Sequence, residues 1–478
     1  MTEKINKNDA LSNACFAGVN GQLALLRTGK ITSAELIEAH LDRIERFDPA
    51  LNAFSVVFRD EARKYAAQAD ARRKAGHDVP LLGVPIALKE DTAVAGLPTT
   101  MGTDAVIAIA ADDAEVVSRL RRAGAVVLGR TRAPELCLWP FTETAHAGPT
   151  RNPWSLDHSP GGSSGGAAAA VAGGLAAAAL GSDGGGSIRM PSAATGLFGL
   201  KPQRGRISLA PHAEVWTGLS VVGPLTRTVS DAATLMDVLQ GSQPGDRHRA
   251  VIPAMPFVEA ASQQPGTLRI GVSLRPWPIG GRIHHEVREA VHRTARALSD
   301  LGHDVSLTEP PLVDPTAMFS YGPRFFRSLV ESVAAVDEPQ NLSKRVQSLH
   351  ALGRRYPDRI VAAAHRYSDR IVAKVNTVFE KVDVLLCPVT PRPALRVGEL
   401  YEENWIKTLL GAQQYTAYMT LWNLVGNPAA SVPAGFTEAG LPLGVQIVGR
   451  PHDEATLLAL AGQMDRMQSW AQNRPDLT

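Results

Sequence analysis

Apolar residues keep two different rhythms along this chain, and the rhythms alternate. Near the N-terminus Thr32-Ser33-Ala34-Glu35 reads as a capping box, and Ile37, Leu41 and Ile44 follow at helical spacing. This predicts an amphipathic helix that stops before Asp48-Pro49, since the residue ahead of a proline disfavours helix. Residues 114–131 read as a helix, a glycine turn and a strand from Ala125 to Leu128, and the same helix-then-strand order returns from His285 to Leu307. Apolar runs from Leu268 to Leu274, Val382 to Pro388 and Val445 to Val448 read as further strands. The four apolar residues Pro85 to Leu88 read as a strand end that delivers Lys89 into the interior. Ala167 to Leu180 is almost wholly apolar and reads as a buried helix; its length of about 14 residues falls short of the roughly 20 that a membrane span needs. Residues 312–380 are mostly helical in pattern. Strands alternating with helices predict an α/β fold with a largely buried, mixed sheet.

Composition narrows the function classes. The chain has 478 residues, 44% of them hydrophobic, enough for a large core. Lys and Arg number 49 against 47 Asp and Glu, a net charge of +2, so no charge excess points to nucleic acid or a membrane surface. Cys15, Cys137 and Cys387 are too scattered for a disulfide framework or a thiolate metal site. His284-His285-Glu286 lacks the H-E-x-x-H spacing, and no phosphate-binding G-x-x-x-x-G-K-[ST] occurs, so no metal and no cofactor are expected. The N-terminus lacks a signal-peptide pattern, and the expectation is a cytoplasmic enzyme, monomeric or homodimeric.

The chemistry concentrates between Pro160 and Gly205. Gly161-Gly162-Ser163-Ser164-Gly165-Gly166 and Gly184-Gly185-Gly186-Ser187 flank the alanine-rich segment. Glycine lets a backbone turn tightly and expose its N–H groups, which can cradle an anion beside a nucleophile. Such a layout suits acyl transfer, with the backbone of Gly184, Gly185, Gly186 and Ser187 as the oxyanion cradle. Gly161 to Gly165 also fits the G-x-S-x-G nucleophile elbow. That motif needs an apolar strand before the serine, and Asn152 to Pro160 reads as loop.

These clusters, followed by Gly199-Leu200-Lys201-Pro202, resemble the amidase signature family of serine hydrolases. Gly83 to Asp91, Asn152-Pro153-Trp154 and Gly440 to Gly449 carry the same resemblance. It implies a single large α/β/α domain with a central mixed β-sheet, and a Ser–cisSer–Lys triad of Ser187 as nucleophile, Ser163 on a cis peptide as proton relay, and Lys89 as base. Lysine is a base only when neutral, so its pKa must fall well below about 10.4, as burial would make it do. Ser164, Asp183 and Arg189 are expected around the triad, ordering its loops. Gly184 departs from the family, which usually has Thr or another side chain there, and is expected to loosen the loop or enlarge the site.

By segment, residues 1–70 are expected as N-terminal helices packed on the core and 71–265 as the core with the triad. Residues 266–400 are expected as a variable stretch whose helices cover the substrate entrance, and 401–478 as a return to the sheet. Candidate pocket walls are Met101, Cys137, Leu138, Trp139, Phe141, Tyr321, Phe325 and Trp422, with Phe319 in the same aromatic cluster and Asn423 a weaker candidate beside Trp422. The reading is a hydrolase of small neutral or aryl amides, with carbamates (urethanes) or esters open because all pass through an acyl- or carbamoyl-serine. Its rivals are a glutaminase-type amidotransferase subunit working with partner chains, and a non-catalytic interaction protein. All three triad residues are present, which disfavours the last.

Overall fold

A computed structural model describes residues 7–277, 280–311 and 318–477. Eleven strands form one sheet: β1 (Phe54–Val57), β2 (Pro85–Lys89), β3 (Val126–Thr131), β4 (Ala178–Asp183), β5 (Phe198–Lys201), β6 (Val221–Thr226), β7 (Arg269–Val272), β8 (Asp304–Leu307), β9 (Val384–Pro388), β10 (Ala429–Phe436) and β11 (Pro442–Gly449). Their order across the sheet is β1-β3-β2-β4-β6-β5-β10-β11-β9-β7-β8. β2 pairs in parallel with β3 and β4, and β7 with β8 and β9, while the other pairs run antiparallel. This is the mixed sheet the alternating pattern predicts.

The sheet is covered on both faces, which explains strands that are apolar without alternation. Ile86, Leu88 and Leu180 pack into one core cluster, and Ala87 and Ala179 between them pack into another. Lys89 ends β2, and Leu88 stands opposite Leu180 of the parallel strand β4. The carboxyl ends of β2 and β4 therefore lie side by side, where open α/β sheets commonly place ligands.

Two boundaries differ from the sequence reading. The helix Ser33–Leu51 keeps its Thr32–Glu35 capping box but runs through Pro49 to a left-handed Asn52. Pro49 sits in the last turn, and the Asp48 carboxylate accepts the N–H groups of Ala53 and Phe54 that leave the helix. The run from Ala167 to Leu180 is buried throughout but is not one helix. The helix Gly165–Ala172 ends at Gly173, Gly174 turns with φ +71°, and the chain re-enters the sheet as β4. Only glycine fits there, because a Cβ on Gly174 would meet the Phe16 ring at 2.8 Å.

Within 312–380, residues 312–317 lie outside the described residues, and helices span Met318–Ala334, Lys344–Gly353 and Asp358–Asn376. Among the described residues no helix is long and apolar enough to cross a membrane.

Candidate active site

Lys89 is fully buried at the tip of β2. Its Nζ donates to Ser163 Oγ at 2.7 Å and to Ser182 Oγ at 2.7 Å, and lies 3.2 Å from Asp91 Oδ2. The Gly162–Ser163 peptide is cis, as the resemblance implied. The Ser164 N–H donates to the Ser187 carbonyl at 3.3 Å, which sets the first serine loop against the second. Ser164 is also the residue before the helix Gly165–Ala172, but its hydroxyl turns to the Ser182 carbonyl instead of capping that helix.

Asp91 acts against the lowering of the Lys89 pKa that burial alone would bring. Burial pulls the Lys89 pKa down, but the Asp91 carboxylate, with Cys137 beside it, pulls it above the ordinary lysine value. Burial keeps the Cys137 thiol protonated, so Asp91 is the partner that counts.

The loop Gly184–Ser187 is tied down from beneath. Asp183 Oδ1 accepts the Gly186 N–H at 2.7 Å, and Oδ2 accepts the N–H groups of Ile188 and Arg189 at 3.1 and 3.4 Å. Arg189 forks onto the same carboxylate and reaches Met419 O, Gln446 Oε1 and Asn423 Oδ1, while Asn423 donates back to Asp183. Burial alone would raise the Asp183 pKa, but Arg189 overrides it and holds this carboxyl far below the usual carboxylate range. Asp183 and Arg189 are both fully buried. Breaking such a pair by removing one charge costs about 3–5 kcal/mol. Asp183→Asn should lower unfolding stability by that order in urea denaturation and should weaken activity, because the loop loses its anchor. Unchanged stability would show that the network does not hold the loop.

The expected oxyanion cradle narrows. Gly186 has spent its N–H on Asp183, whereas those of Gly184, Gly185 and Ser187 donate to no acceptor among the described residues. The Ser187 hydroxyl is likewise unbonded among them, and Ser187 lines the main cavity with Gly162 and Gly185.

The family model Amidase matches residues 35–458. The chain belongs to the amidase signature family. "Putative amidase AmiB2" of Mycobacterium tuberculosis (strain ATCC 25618 / H37Rv) is 46% identical over 469 residues, 98% of this chain and 99% of that protein. A glutamyl-tRNA(Gln) amidotransferase subunit of Roseiflexus sp. (strain RS-1) is 36% identical over 95% of this chain and 96% of its own length. Among solved structures, 6-aminohexanoate cyclic dimer hydrolase superposes with a TM-score of 0.89 at 32% identity, covering 97% of this chain and 99% of that one. The protein is thus an amidase-family hydrolase that carries the amidase signature fold.

The cavity of this amidase signature protein has a volume of about 680 Å³ and receives Cys137, Leu138, Trp139, Tyr321 and Phe325 from the predicted walls, with Phe319. Met101, Phe141 and Trp422 do not line it. Phe141 is buried behind Trp139, stacked on it at 6.0 Å, and Trp422 packs in the core near Phe379. Met101 instead accepts the Leu136 N–H through its carbonyl, holding the turn that carries Cys137. The aromatic clustering at 319–326 is a usable signal in sequence; Trp216 and Trp277 lie in loops with no pattern to mark them. Asn423, in sequence no more than a weak wall candidate, is a rivet of the Asp183 network.

Gly184 does not enlarge the site. The Trp216 indole fills the space, and a Cβ on Gly184 would stand 2.6 Å from Trp216 Cε3. Trp216 in turn meets Phe325 edge-on at 5.7 Å. Gly184→Thr should therefore overpack the wall, at about 1–3 kcal/mol. Adding Trp216→Ala should recover most of the lost melting temperature; two independent, additive losses would refute the contact.

Behind Trp139 lies a smaller polar cavity lined by Glu135, Glu143, His146, Arg345 and Tyr401 among others. Arg345 stacks over Trp139 at 5.7 Å and over Tyr401 at 4.5 Å. Burial pushes the Glu143 carboxyl up from 4.5 to about 7. With its folded pKa raised, Glu143 contributes stability that is full below about 4.5 and is lost as pH rises through about 7. Glu143→Gln should flatten the fall in melting temperature between about pH 5 and pH 8, read by calorimetry. A slope equal to wild type would contradict this.

Proposed function

We propose that the protein hydrolyses neutral amides with an apolar or aromatic acyl or leaving group, through an acyl-serine formed on Ser187. The observation that carries this reading is the cavity: Ser187 lies in its wall among Trp139, Trp216, Tyr321 and Phe325, and the charged lining side chain is Arg355. Arg355 is exposed, so a charged group buried deeper, against the aromatic walls, would lack a partner at high cost.

In the proposed cycle Ser187 Oγ attacks the carbonyl carbon and its proton passes through Ser163 to Lys89. The oxyanion is held by the free N–H groups of the Gly184–Ser187 loop, where losing one donor typically costs about 10²–10³ in rate. The tetrahedral carbon collapses as Lys89, through Ser163, returns the proton to the departing amine. Water then repeats the sequence on the acyl-enzyme. A carbamate or an ester would follow the same steps, giving a carbamoyl- or acyl-serine.

A second reading, a glutaminase-type subunit, has one observation in its favour: the 36% identity to a glutamyl-tRNA(Gln) amidotransferase subunit. The two readings separate on substrate. Kinetics of the purified chain on a neutral anilide, on aryl carbamates and on free glutamine and asparagine should show the anilide well ahead of the amino acid amides. Preference for glutamine would overturn the first reading and favour the second.

A further inference from the structure

Lys89 has three oxygen neighbours, Ser163 Oγ, Ser182 Oγ and Asp91 Oδ2. An ammonium has three N–H donors, so this arrangement saturates it as a cation. Ser182 Oγ in turn donates to Asp91 Oδ2 at 2.5 Å, closing a triangle of lysine, hydroxyl and carboxylate behind Ser163. The Lys89 side chain is wholly buried and that of Asp91 is 16% exposed. A saturated ammonium cannot accept the proton of Ser187. Lys89 must first be unloaded, and the adjacent base is Asp91.

We propose that Asp91 unloads Lys89: the two form one proton-sharing pair bridged by Ser182, and its neutral tautomer is the form that accepts the Ser187 proton. The inference rests on the assignment of Ser187, Ser163 and Lys89 made above. The transfer balances without any outside group. Lys89 passes a proton to Ser182 Oγ as Ser182 passes its own to Asp91 Oδ2, which turns ammonium and carboxylate into amine and carboxylic acid with no change in net charge. Attack by Ser187 then returns Lys89 to the ammonium through Ser163, and collapse of the tetrahedral carbon sends that proton to the leaving amine. An apolar substrate that dries the cavity favours the neutral tautomer, since burial penalises both charges.

The groups around the pair are few. Cys137, from the turn Glu135–Cys137, lies with Sγ 3.7 Å from Asp91 Oδ2 and stays a neutral thiol. Glu90, the next carboxyl along the chain, turns away to accept the Ala133 N–H at 2.5 Å and the Thr100 hydroxyl at 3.1 Å. Burial raises the Glu90 pKa. Strand β4 contributes Ser182, which carries no charge.

Asp91 acts through Lys89 and is a positioning residue, so the readout is the pH profile of kcat/KM and not the rate alone. In wild type the active tautomer has the charge of the resting pair, so activity persists downward until a second proton enters the pair as a unit. In Asp91→Asn the lysine must lose its proton to solvent, and the acid limb should move to higher pH by at least about one unit. An unmoved limb would overturn the inference by making Asp91 merely structural. A limb moved to lower pH would overturn it differently, because Asp91 would then only hold the lysine charged. Labelling by a fluorophosphonate, mapped to Ser187 in both proteins, keeps the two claims apart: no label on Ser187 is a failure of the nucleophile assignment. If Asp91→Asn does not fold, the wild-type profile decides. A plateau reached by about pH 7 supports the pair, and a climb continuing through about pH 10 overturns it.

Discussion

Replacing Ser187 by alanine is expected to abolish turnover, a loss on the order of 10⁶-fold in kcat, while the fold stays intact. The size follows from covalent catalysis: without the hydroxyl there is no acyl-enzyme, and the oxyanion donors and the cavity retain only a small residual effect. The stability claim rests on placement. The Ser187 side chain makes no hydrogen bond among the described residues, and its loop is held by Asp183 through backbone N–H groups that alanine would leave untouched. Initial rates on a neutral anilide and a thermal melt of the same sample check both halves. A variant that keeps a tenth of the wild-type rate would place the nucleophile elsewhere, with Ser163 the first candidate.

Lys89→Met is expected to be the next most damaging change, at about 10²–10⁴-fold for loss of general-base assistance. Methionine keeps most of the buried volume at the tip of β2 but leaves Asp91 without its cation, so a thermal melt of the variant accompanies the rates. It should also fall on kcat far more than on KM, because Lys89 stands behind Ser163 and does not line the cavity. A variant with KM raised and kcat preserved would make Lys89 a substrate-binding group and remove it from the proton path.

Much of this is legible in the chain, for physical reasons that differ from residue to residue. The strand ending in Lys89 and the helix–turn–strand of 114–131 come from local periodicity, which the folded chain keeps. The two glycine–serine clusters are visible because close backbone approach requires missing side chains. The single helix expected from Ala167 to Leu180 fails because burial on every side erases the difference between a helix and a central strand. Pro49 fails as a stop because it sits in the last turn, where one missing N–H costs little, and Asp48 accepts the Ala53 and Phe54 N–H groups just beyond it.

The site itself is less legible wherever it depends on distant partners. Asp91 follows Lys89 by two residues, yet its meaning comes from Ser182, about ninety positions on and brought alongside by the parallel pairing of β2 and β4. Trp216 closes the wall at Gly184 from a loop with no pattern, so the same glycine reads as open space in sequence and as a filled contact in the fold. Asn423 and Gln446 reach Arg189 across more than two hundred residues.

Covalent trapping tests the central claim most directly. Wild-type protein treated with a fluorophosphonate, digested and mapped by mass spectrometry should carry the adduct on Ser187, and Lys89→Met should slow that labelling in parallel with turnover. An adduct on Ser163 alone, or labelling of Ser187 that proceeds at full rate without Lys89, would contradict the proposed nucleophile and its proton path.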